Sequence, residues 1–166
     1  LRGGGGNDTI RPGTGSDTLG GDGGSDMADY TERTAPLLLA NDEVANDGEA
    51  GEYDAINPDI ERLAGGSGND TLYLFSNGGV IYGMGGNDSI TGSNGDDLLF
   101  GGDGNDTILA AFGNDSIEGN NGNDLLSDGS GRDTVLGGPG NDFIHGDRTG
   151  GFNGEIDVYD GQEGTD

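Results

Sequence analysis

A large apolar residue recurs at every ninth position along most of this chain, and glycine and polar residues fill the intervals. Nine such repeats follow one another without a gap between residues 65 and 145, and three more occupy residues 3–29. The repeat at residues 101–109 reads GGDGNDTIL and shows the general form GGxGxDxUx, in which U is the apolar residue. A period this short and regular indicates a solenoid of stacked, nearly identical units.

Each repeat predicts one turn and one short strand. Glycine-rich hexamers that end in aspartate adopt tight turns, because glycine tolerates backbone conformations with positive φ. The following x-U-x segment places one side chain on one face and two on the other, as a strand does. Two repeats then complete a coil of eighteen residues with the U side chains stacked inside. The pattern therefore predicts an all-β fold, a parallel β-roll with two nonapeptides per coil.

The sixth position of the repeat carries the candidate chemistry. Aspartate occupies it in all twelve repeats except one, where Gly79 stands. These aspartates are Asp8, Asp17, Asp26, Asp70, Asp88, Asp97, Asp106, Asp115, Asp124, Asp133 and Asp142. Neighbouring coils are about 4.8 Å apart, so carboxylates eighteen residues apart would repel one another unless a cation lies between them. Oxygen-only ligands in a flexible arrangement favour Ca²⁺ over Mg²⁺ or a transition metal.

The register predicts which carboxylates share an ion. The pairs on one edge are Asp70–Asp88, Asp88–Asp106, Asp106–Asp124 and Asp124–Asp142, and those on the other edge are Asp97–Asp115 and Asp115–Asp133. Asp8 and Asp26 form a seventh pair. Because Gly79 interrupts the second edge, we expect fewer ions there. If residues 146–151 loop out, Asp133–Asp157 and Asp142–Asp166 are two further pairs.

The nonapeptides resemble the RTX family, the hemolysin-type calcium-binding repeats of secreted bacterial toxins, proteases, lipases and epimerases. The resemblance covers residues 3–29 and 65–145, and more weakly residues 152–166. It implies a right-handed parallel β-roll in which sixth-position aspartates and turn carbonyls bind Ca²⁺ between successive turns. It also implies export by a one-step, type I secretion system and a secreted or cell-surface location.

Four segments divide the chain. Residues 1–29 hold the N-terminal repeats, residues 30–64 form a degenerate spacer, and residues 65–145 form the main block. Residues 146–166 combine a loop insertion with partial repeats, and both chain ends fall within a repeat, so we expect a piece of a longer array. Glu61 falls on a sixth position and Leu63 on an eighth, so the spacer is predicted to add strands to a continuous roll. A hinge between two rolls is the alternative.

The charge agrees with a metal-dependent fold. Six basic residues stand against 32 acidic ones, for a net charge of −26, and 39 of the 166 residues are glycine. Low hydrophobicity with this charge predicts disorder in the absence of a partner. About seven Ca²⁺ ions would cancel roughly half of the excess, so metal binding would supply folding free energy. A surface this acidic repels phosphate, which argues against nucleic acid as a partner.

No catalytic motif is present, and we expect the chain not to be an enzyme. HExxH, GxSxG and a P-loop lysine are all missing, and the one histidine, His145, lies at an outward ninth position. The sequence has no cysteine, no signal peptide and no apolar run long enough to span a membrane. We therefore expect a calcium-dependent structural module of a larger secreted protein. Alternatives are an accessory domain of an exported enzyme and an adhesin segment.

Outward strand positions are unusually apolar. These residues are Tyr73, Val80, Tyr82, Leu98, Phe100, Leu109, Leu125, Leu136 and Phe143. Exposed patches of this kind favour contact with a protein partner or with a second copy. Flanking domains, or the apolar run at residues 37–39 of the spacer, could instead cover them.

Overall fold

The computed structural model describes residues 1–146 and 158–160 of the chain. All the regular secondary structure in these ranges is β-strand. The strands are β1 (Arg2–Gly5), β2 (Thr9–Ile10), β3 (Thr18–Gly23), β4 (Met27–Asp29), β5 (Leu37–Ala40), β6 (Gly48–Glu49), β7 (Ala55–Ile56), β8 (Arg62–Ala64), β9 (Thr71–Tyr73), β10 (Val80–Gly85), β11 (Ser89–Thr91), β12 (Leu98–Asp103), β13 (Thr107–Leu109), β14 (Ser116–Asn121), β15 (Leu125–Ser127), β16 (Thr134–Leu136), β17 (Phe143–His145) and β18 (Val158–Asp160). The all-β prediction is confirmed.

The strands form three sheets. Their orders are β18-β16-β14-β12-β10-β8-β4-β2, β17-β15-β13-β11-β9-β5-β6 and β1-β3-β7. Neighbouring strands are parallel in all of them, apart from the antiparallel pair β5–β6. In the main block, successive strands along the chain alternate between the eight-stranded and the seven-stranded sheet. The chain therefore winds as the parallel β-roll that the repeat predicts.

Each coil of the main block takes eighteen residues, as predicted for two nonapeptides. Ile90 pairs with Leu72 on one side and with Ile108 on the other. These three side chains are fully buried, and Ile81 and Leu99 of the opposite sheet are buried with them. The eighth-position residues of the two sheets therefore form one continuous core inside the roll.

The glycines of the turns are required by the close stacking of the coils. Gly104, at the fourth position of its repeat, has a φ of 134°, which L side chains rarely adopt. A Cβ atom at Gly104 would also lie less than 3.0 Å from the carbonyl oxygen of Gly86 in the preceding coil. No side chain can therefore be added there unless the two turns separate.

The spacer contributes strands to both large sheets. Strand β8 pairs in parallel with β4 and with β10, so the eight-stranded sheet runs without a break from residue 9 to residue 136. Strand β5 pairs with β9 and places Leu39 beside Leu72, and the side chains of Leu37 and Leu39 are buried in the core. Residues 37–39 therefore do not cover the outward apolar positions, and that interpretation is wrong. Strand β5 instead extends the seven-stranded sheet beyond β9.

The outward apolar side chains differ in their environment. Leu98, Leu109, Leu125 and Phe143 are exposed, with 43% to 63% of their surface accessible. The rings of Tyr82 and Phe100 stack on each other instead, with centroids 5.1 Å apart and planes 8° from parallel. Stacking between adjacent coils thus shields part of the outer face.

Candidate metal sites between the coils

The sixth-position aspartates stack at the corners where turns lead into strands. In seven pairs, the Oδ1 of the later aspartate accepts a hydrogen bond from the backbone N–H of the aspartate one coil earlier, as Asp106 does from Asp88 at 2.8 Å. The same bond, at 2.8 to 2.9 Å, joins Asp70 to Asp88, Asp106 to Asp124, Asp124 to Asp142, Asp97 to Asp115, Asp115 to Asp133 and Asp8 to Asp26. The structure therefore brings together the seven pairs within residues 8–142 that the register predicts.

The second oxygen of many of these carboxylates has no protein partner. The Oδ2 atoms of Asp88, Asp106, Asp115 and Asp124 are buried and accept no hydrogen bond, and the same holds for those of Asp8 and Asp26 in the N-terminal repeats. A buried carboxylate oxygen without a partner is costly, because the charge loses its hydration. A cation beside each Oδ2 would offset that cost.

Backbone carbonyls face the same spaces. A Cβ atom at Gly83 would lie less than 3.0 Å from both Asp88 Oδ2 and the carbonyl oxygen of Gly101 in the next coil. Gly101 stands in the same relation to Asp106 Oδ2 and the Gly119 carbonyl. Each first-position glycine thus leaves room where a carboxylate oxygen and a carbonyl oxygen converge. Such mixed oxygen donors suit Ca²⁺, which binds carboxylates and main-chain carbonyls in variable geometry.

In the metal-free chain, burial and repulsion between neighbouring carboxylates raise the pKa values of several of these aspartates. Burial, with added repulsion from Asp106 and Asp70, raises the pKa of Asp88 to about 7. Burial raises the pKa of Asp115 to about 7, and repulsion from Asp97 and Asp133 adds to it. A positive ion between the coils would remove this penalty, because an opposite charge nearby favours the ionised form.

The first aspartate of each edge of the main block is satisfied differently. Asp70 Oδ2 accepts a hydrogen bond from Gly66 N at 2.7 Å, and Asp97 Oδ2 accepts one from Ser93 N at 2.6 Å. At Gly79, which has no carboxylate, the backbone N–H still donates to Asp97 Oδ1 at 2.7 Å. Donors within the same repeat therefore satisfy the Oδ2 atoms of Asp70 and Asp97, unlike the Oδ2 atoms of Asp88, Asp106, Asp115 and Asp124.

Asp17 has a partner that sequence reasoning missed. Its backbone N–H donates to Asp54 Oδ1 at 2.8 Å, so a spacer residue takes the place of the next sixth-position aspartate. Asp54 is fully buried, and its Oδ2 accepts a hydrogen bond from Tyr30 Oη at 2.9 Å. Of the remaining predicted metal residues, Asp157 and Asp166 lie outside the described residues.

Asp47 is a second buried spacer carboxylate that the period could not reveal. Its two oxygens accept hydrogen bonds from the backbone N–H groups of Ala40 at 2.6 Å and Ile56 at 3.0 Å. Burial raises the pKa of Asp47 to about 7, although those two hydrogen bonds oppose the shift. Since both oxygens are used to hold β5 against β7, Asp47 has a structural role.

An asparagine ladder runs beside the aspartates and was also missed. Asn87 Oδ1 accepts a hydrogen bond from Asn105 N at 2.7 Å, and Asn105 Oδ1 accepts one from Asn123 N at 2.7 Å. These fifth-position asparagines therefore accept from the following coil, whereas sixth-position aspartates such as Asp106 accept from the preceding coil. The recurrence of asparagine in the fifth position was the available signal. The ladder fixes the coil spacing on which the metal sites depend.

The donor set consists of carboxylate pairs completed by main-chain oxygens. Among residues 1–146, no three side chains of His, Cys, Asp or Glu gather as a metal cluster. Any ion between the coils would therefore depend on carbonyls of the turns for the rest of its coordination. That requirement links the metal sites to the folded turns themselves.

Comparison with known protein families identifies the repeat. A family model described as the RTX calcium-binding nonapeptide repeat matches four stretches, residues 1–28, 57–75, 82–117 and 118–148, which together exceed half of the chain. The chain belongs to the RTX calcium-binding repeat family. The predicted resemblance is thus confirmed, and the stacked carboxylates belong to a calcium-binding repeat module.

Two further results concern this RTX chain. No curated protein matches its sequence. Among the residues that the structure describes, no helix has the length and apolar character needed to cross a membrane.

Proposed function

We propose that this RTX chain is a structural module of a larger secreted or cell-surface bacterial protein, and that Ca²⁺ drives its folding after export. The observation that carries the proposal is the series of buried Oδ2 atoms that have no protein partner. Together with the net charge of −26, these atoms make the metal-free roll costly to form. An ion in each gap offsets the cost only when the coils are stacked.

The expected affinity suits a switch between two compartments. Extracellular calcium modules bind with dissociation constants of about 10⁻⁴ to 10⁻³ M. At the far lower calcium level of the cytoplasm the sites would be empty, and the chain would stay unfolded and ready for type I secretion. Folding outside the cell would then hinder backward movement and set the spacing of the flanking domains.

We also propose that the chain itself has no catalytic activity. Buried aspartates such as Asp106 are engaged in the carboxylate ladder, and the sequence contains none of the common hydrolase motifs. An accessory role in an exported enzyme and an adhesin role both require the same calcium-dependent folding. In either setting the exposed Leu109, Leu125 and Phe143 offer a surface for a neighbouring domain or partner.

A calcium titration followed by far-UV circular dichroism tests the proposal. We expect a cooperative change from coil to β structure near 0.1 to 1 mM Ca²⁺, at about the affinity of extracellular modules. Mg²⁺ is the control, since it demands a strict octahedral geometry and gives up its waters reluctantly. A chain with full β structure in chelator would refute calcium-driven folding and leave a metal-independent scaffold.

A further inference from the structure

We propose that residues 29–82, which comprise most of the spacer and the first two repeats of the main block, fold without calcium and form the surface on which the following coils assemble. These residues are called the spacer unit below. The inference rests on the proposed calcium-driven folding, from which it exempts this one segment. Protein donors satisfy the buried carboxylates of the spacer unit, whereas the later coils leave several buried oxygens for a cation.

Buried carboxylate oxygens without a partner lie on both sides of the spacer unit. They include the Oδ2 atoms of Asp26 before it and of Asp88 and Asp106 after it. The structure describes all of residues 29–82, and no buried carboxylate oxygen among them lacks a hydrogen-bond partner. Hydrogen bonds within the protein therefore offset in this segment the burial cost that remains uncompensated in the metal-free coils.

Asp47 and Asp54 show how buried carboxylates are satisfied in the spacer unit. Both oxygens of Asp47 accept backbone hydrogen bonds, from Ala40 and from Ile56. Asp54 Oδ2 accepts one from Tyr30 Oη at 2.9 Å. The backbones of the two aspartates also exchange hydrogen bonds, at 3.0 Å from Asp47 N and at 3.1 Å from Asp54 N. None of these contacts requires a metal ion.

An arginine takes the place of a cation beside two further carboxylates. The guanidinium of Arg33, whose side chain is only 15% exposed, forms ion pairs with Glu49 at 3.4 Å and with Glu52 at 3.1 Å. Asp70 is satisfied by backbone donors, since its oxygens accept hydrogen bonds from Leu37 N at 2.9 Å and from Gly66 N at 2.7 Å. Charges of the spacer unit are thus paired by its own residues.

The spacer unit also buries more apolar side chains than regular coils do. Its large buried side chains are Tyr30, Leu37, Leu39, Ile56, Ile60, Leu63, Leu72, Leu74 and Ile81. These are nine in 54 residues, whereas three regular coils would bury six, one for each nonapeptide. Each additional buried side chain stabilises the metal-free fold. A unit of this size is only marginally stable alone, so it can still unfold for export.

The spacer unit offers a preformed edge to the first coil that follows it. Asp70 N donates to Asp88 Oδ1 at 2.8 Å, and Gly79 N donates to Asp97 Oδ1 at 2.7 Å. Strand β10 begins in the unit and pairs in parallel with β12 of the next coil. A solenoid grows by adding units to an existing neighbour. The coils after residue 82 therefore assemble against the spacer unit as calcium binds.

Hydrogen exchange of the full chain, in chelator and in calcium, tests the spacer unit. In chelator, amides of residues 29–82 such as those of Ala40 and Ile56 should exchange at least about tenfold more slowly than amides of residues 98–136, because only the first segment keeps its structure. In calcium, both segments should be protected, which shows that the later coils are able to fold under the same conditions.

Tyr30→Phe tests whether satisfied carboxylates are the cause. It removes the hydroxyl that donates to Asp54 Oδ2. In chelator, exchange in residues 29–82 should become roughly tenfold faster, as expected for a buried acceptor that loses its donor. The matched control is Tyr53→Phe, which removes the same group from an exposed tyrosine of the spacer and should behave as wild type. In calcium, residues 98–136 should exchange alike in all three proteins.

Unprotected residues 29–82 in chelator, with both segments protected in calcium, would overturn the spacer unit and leave calcium-driven folding intact. Equal protection of the two segments in chelator would overturn both proposals. The two failures are therefore distinguishable. Exchange in Tyr30→Phe equal to that of wild type would overturn satisfied carboxylates as the cause. If Tyr30→Phe does not fold in calcium, the comparison of the two segments in the wild-type chain decides the matter.

Discussion

The replacement Asp106→Asn separates a metal ligand from a structural carboxylate. Asp106 Oδ1 accepts the hydrogen bond from Asp88 N, while Oδ2 is buried beside the carbonyl oxygen of Gly119 and accepts none. One oxygen thus lies toward each neighbouring coil. Asparagine preserves the acceptor for Asp88 N and removes the buried charge, so it should weaken calcium binding in two adjacent gaps while leaving the metal-free roll no less stable.

The magnitude follows from the two gaps. A ligand present at 100 times its dissociation constant stabilises the folded state by about 2.7 kcal/mol per site. At about 10 mM calcium and a dissociation constant of about 10⁻⁴ M, loss of both sites would lower the free energy of unfolding by as much as about 5 kcal/mol. At about 1 mM calcium the loss should be smaller, about 3 kcal/mol for the two sites, because the stabilisation follows the logarithm of the calcium concentration.

Urea unfolding followed by far-UV circular dichroism, at about 10 mM and at about 1 mM calcium, measures both quantities. The matched control is Glu32→Gln, which removes one negative charge at an exposed position in the spacer and should change neither value by more than a few tenths of a kcal/mol. An equal loss for Asp106→Asn at the two calcium concentrations would refute the argument. The carboxylate would then act through its hydrogen bond alone.

Two further predictions concern the core and the pH. Ile108→Ala empties a fully buried position and should lower the free energy of unfolding in calcium by about 2 to 5 kcal/mol. Leu109→Ala, at the adjacent exposed position, should lower it far less. Equal losses would contradict the placement of the Ile108 side chain inside the roll. In chelator, β structure should decrease as the pH rises from about 5 to 8. The pKa values of Asp88 and Asp115 are about 7 in the folded chain and about 3.9 in the unfolded chain. The folded chain therefore binds more protons than the unfolded chain across that range, and a rise in pH destabilises it. The calcium midpoint should move the other way and be higher at pH 5, where protons compete for the carboxylates; circular dichroism that shows no pH dependence would count against both statements.

The regular part of the roll could be predicted from the sequence because each coil repeats the last. A nine-residue period places Ile90 between Leu72 and Ile108 in any stacked arrangement, and the same offset brings Asp88 to Asp106. These contacts depend on the local conformation of each repeat and on a constant coil length of eighteen residues. Both the conformation and the coil length can be predicted from the repeat pattern.

The spacer could not be predicted in the same way, since its partners are set by contacts across intervals that no period marks. Asp54 lies beside Asp17 at a separation of 37 residues, and Glu61 beside Asp26 at 35. The path of the chain through strands β5 to β8 decides which spacer residues lie beside these two aspartates. The same path buries Asp47 between two backbone N–H groups.

The sequence by itself determined the coil length, the inward apolar column and the pairs of stacked carboxylates, because these follow from short-range geometry repeated many times. The tertiary structure alone decided how each carboxylate is satisfied. Asp70 and Asp97 find N–H donors in their own repeats, whereas Asp88 and Asp106 retain a buried oxygen with no donor. That difference accompanies the backbone conformation of the second repeat position, where Met84 and Gly102 have positive φ and Gly66 and Ser93 do not, and the residue pattern leaves this conformation unspecified.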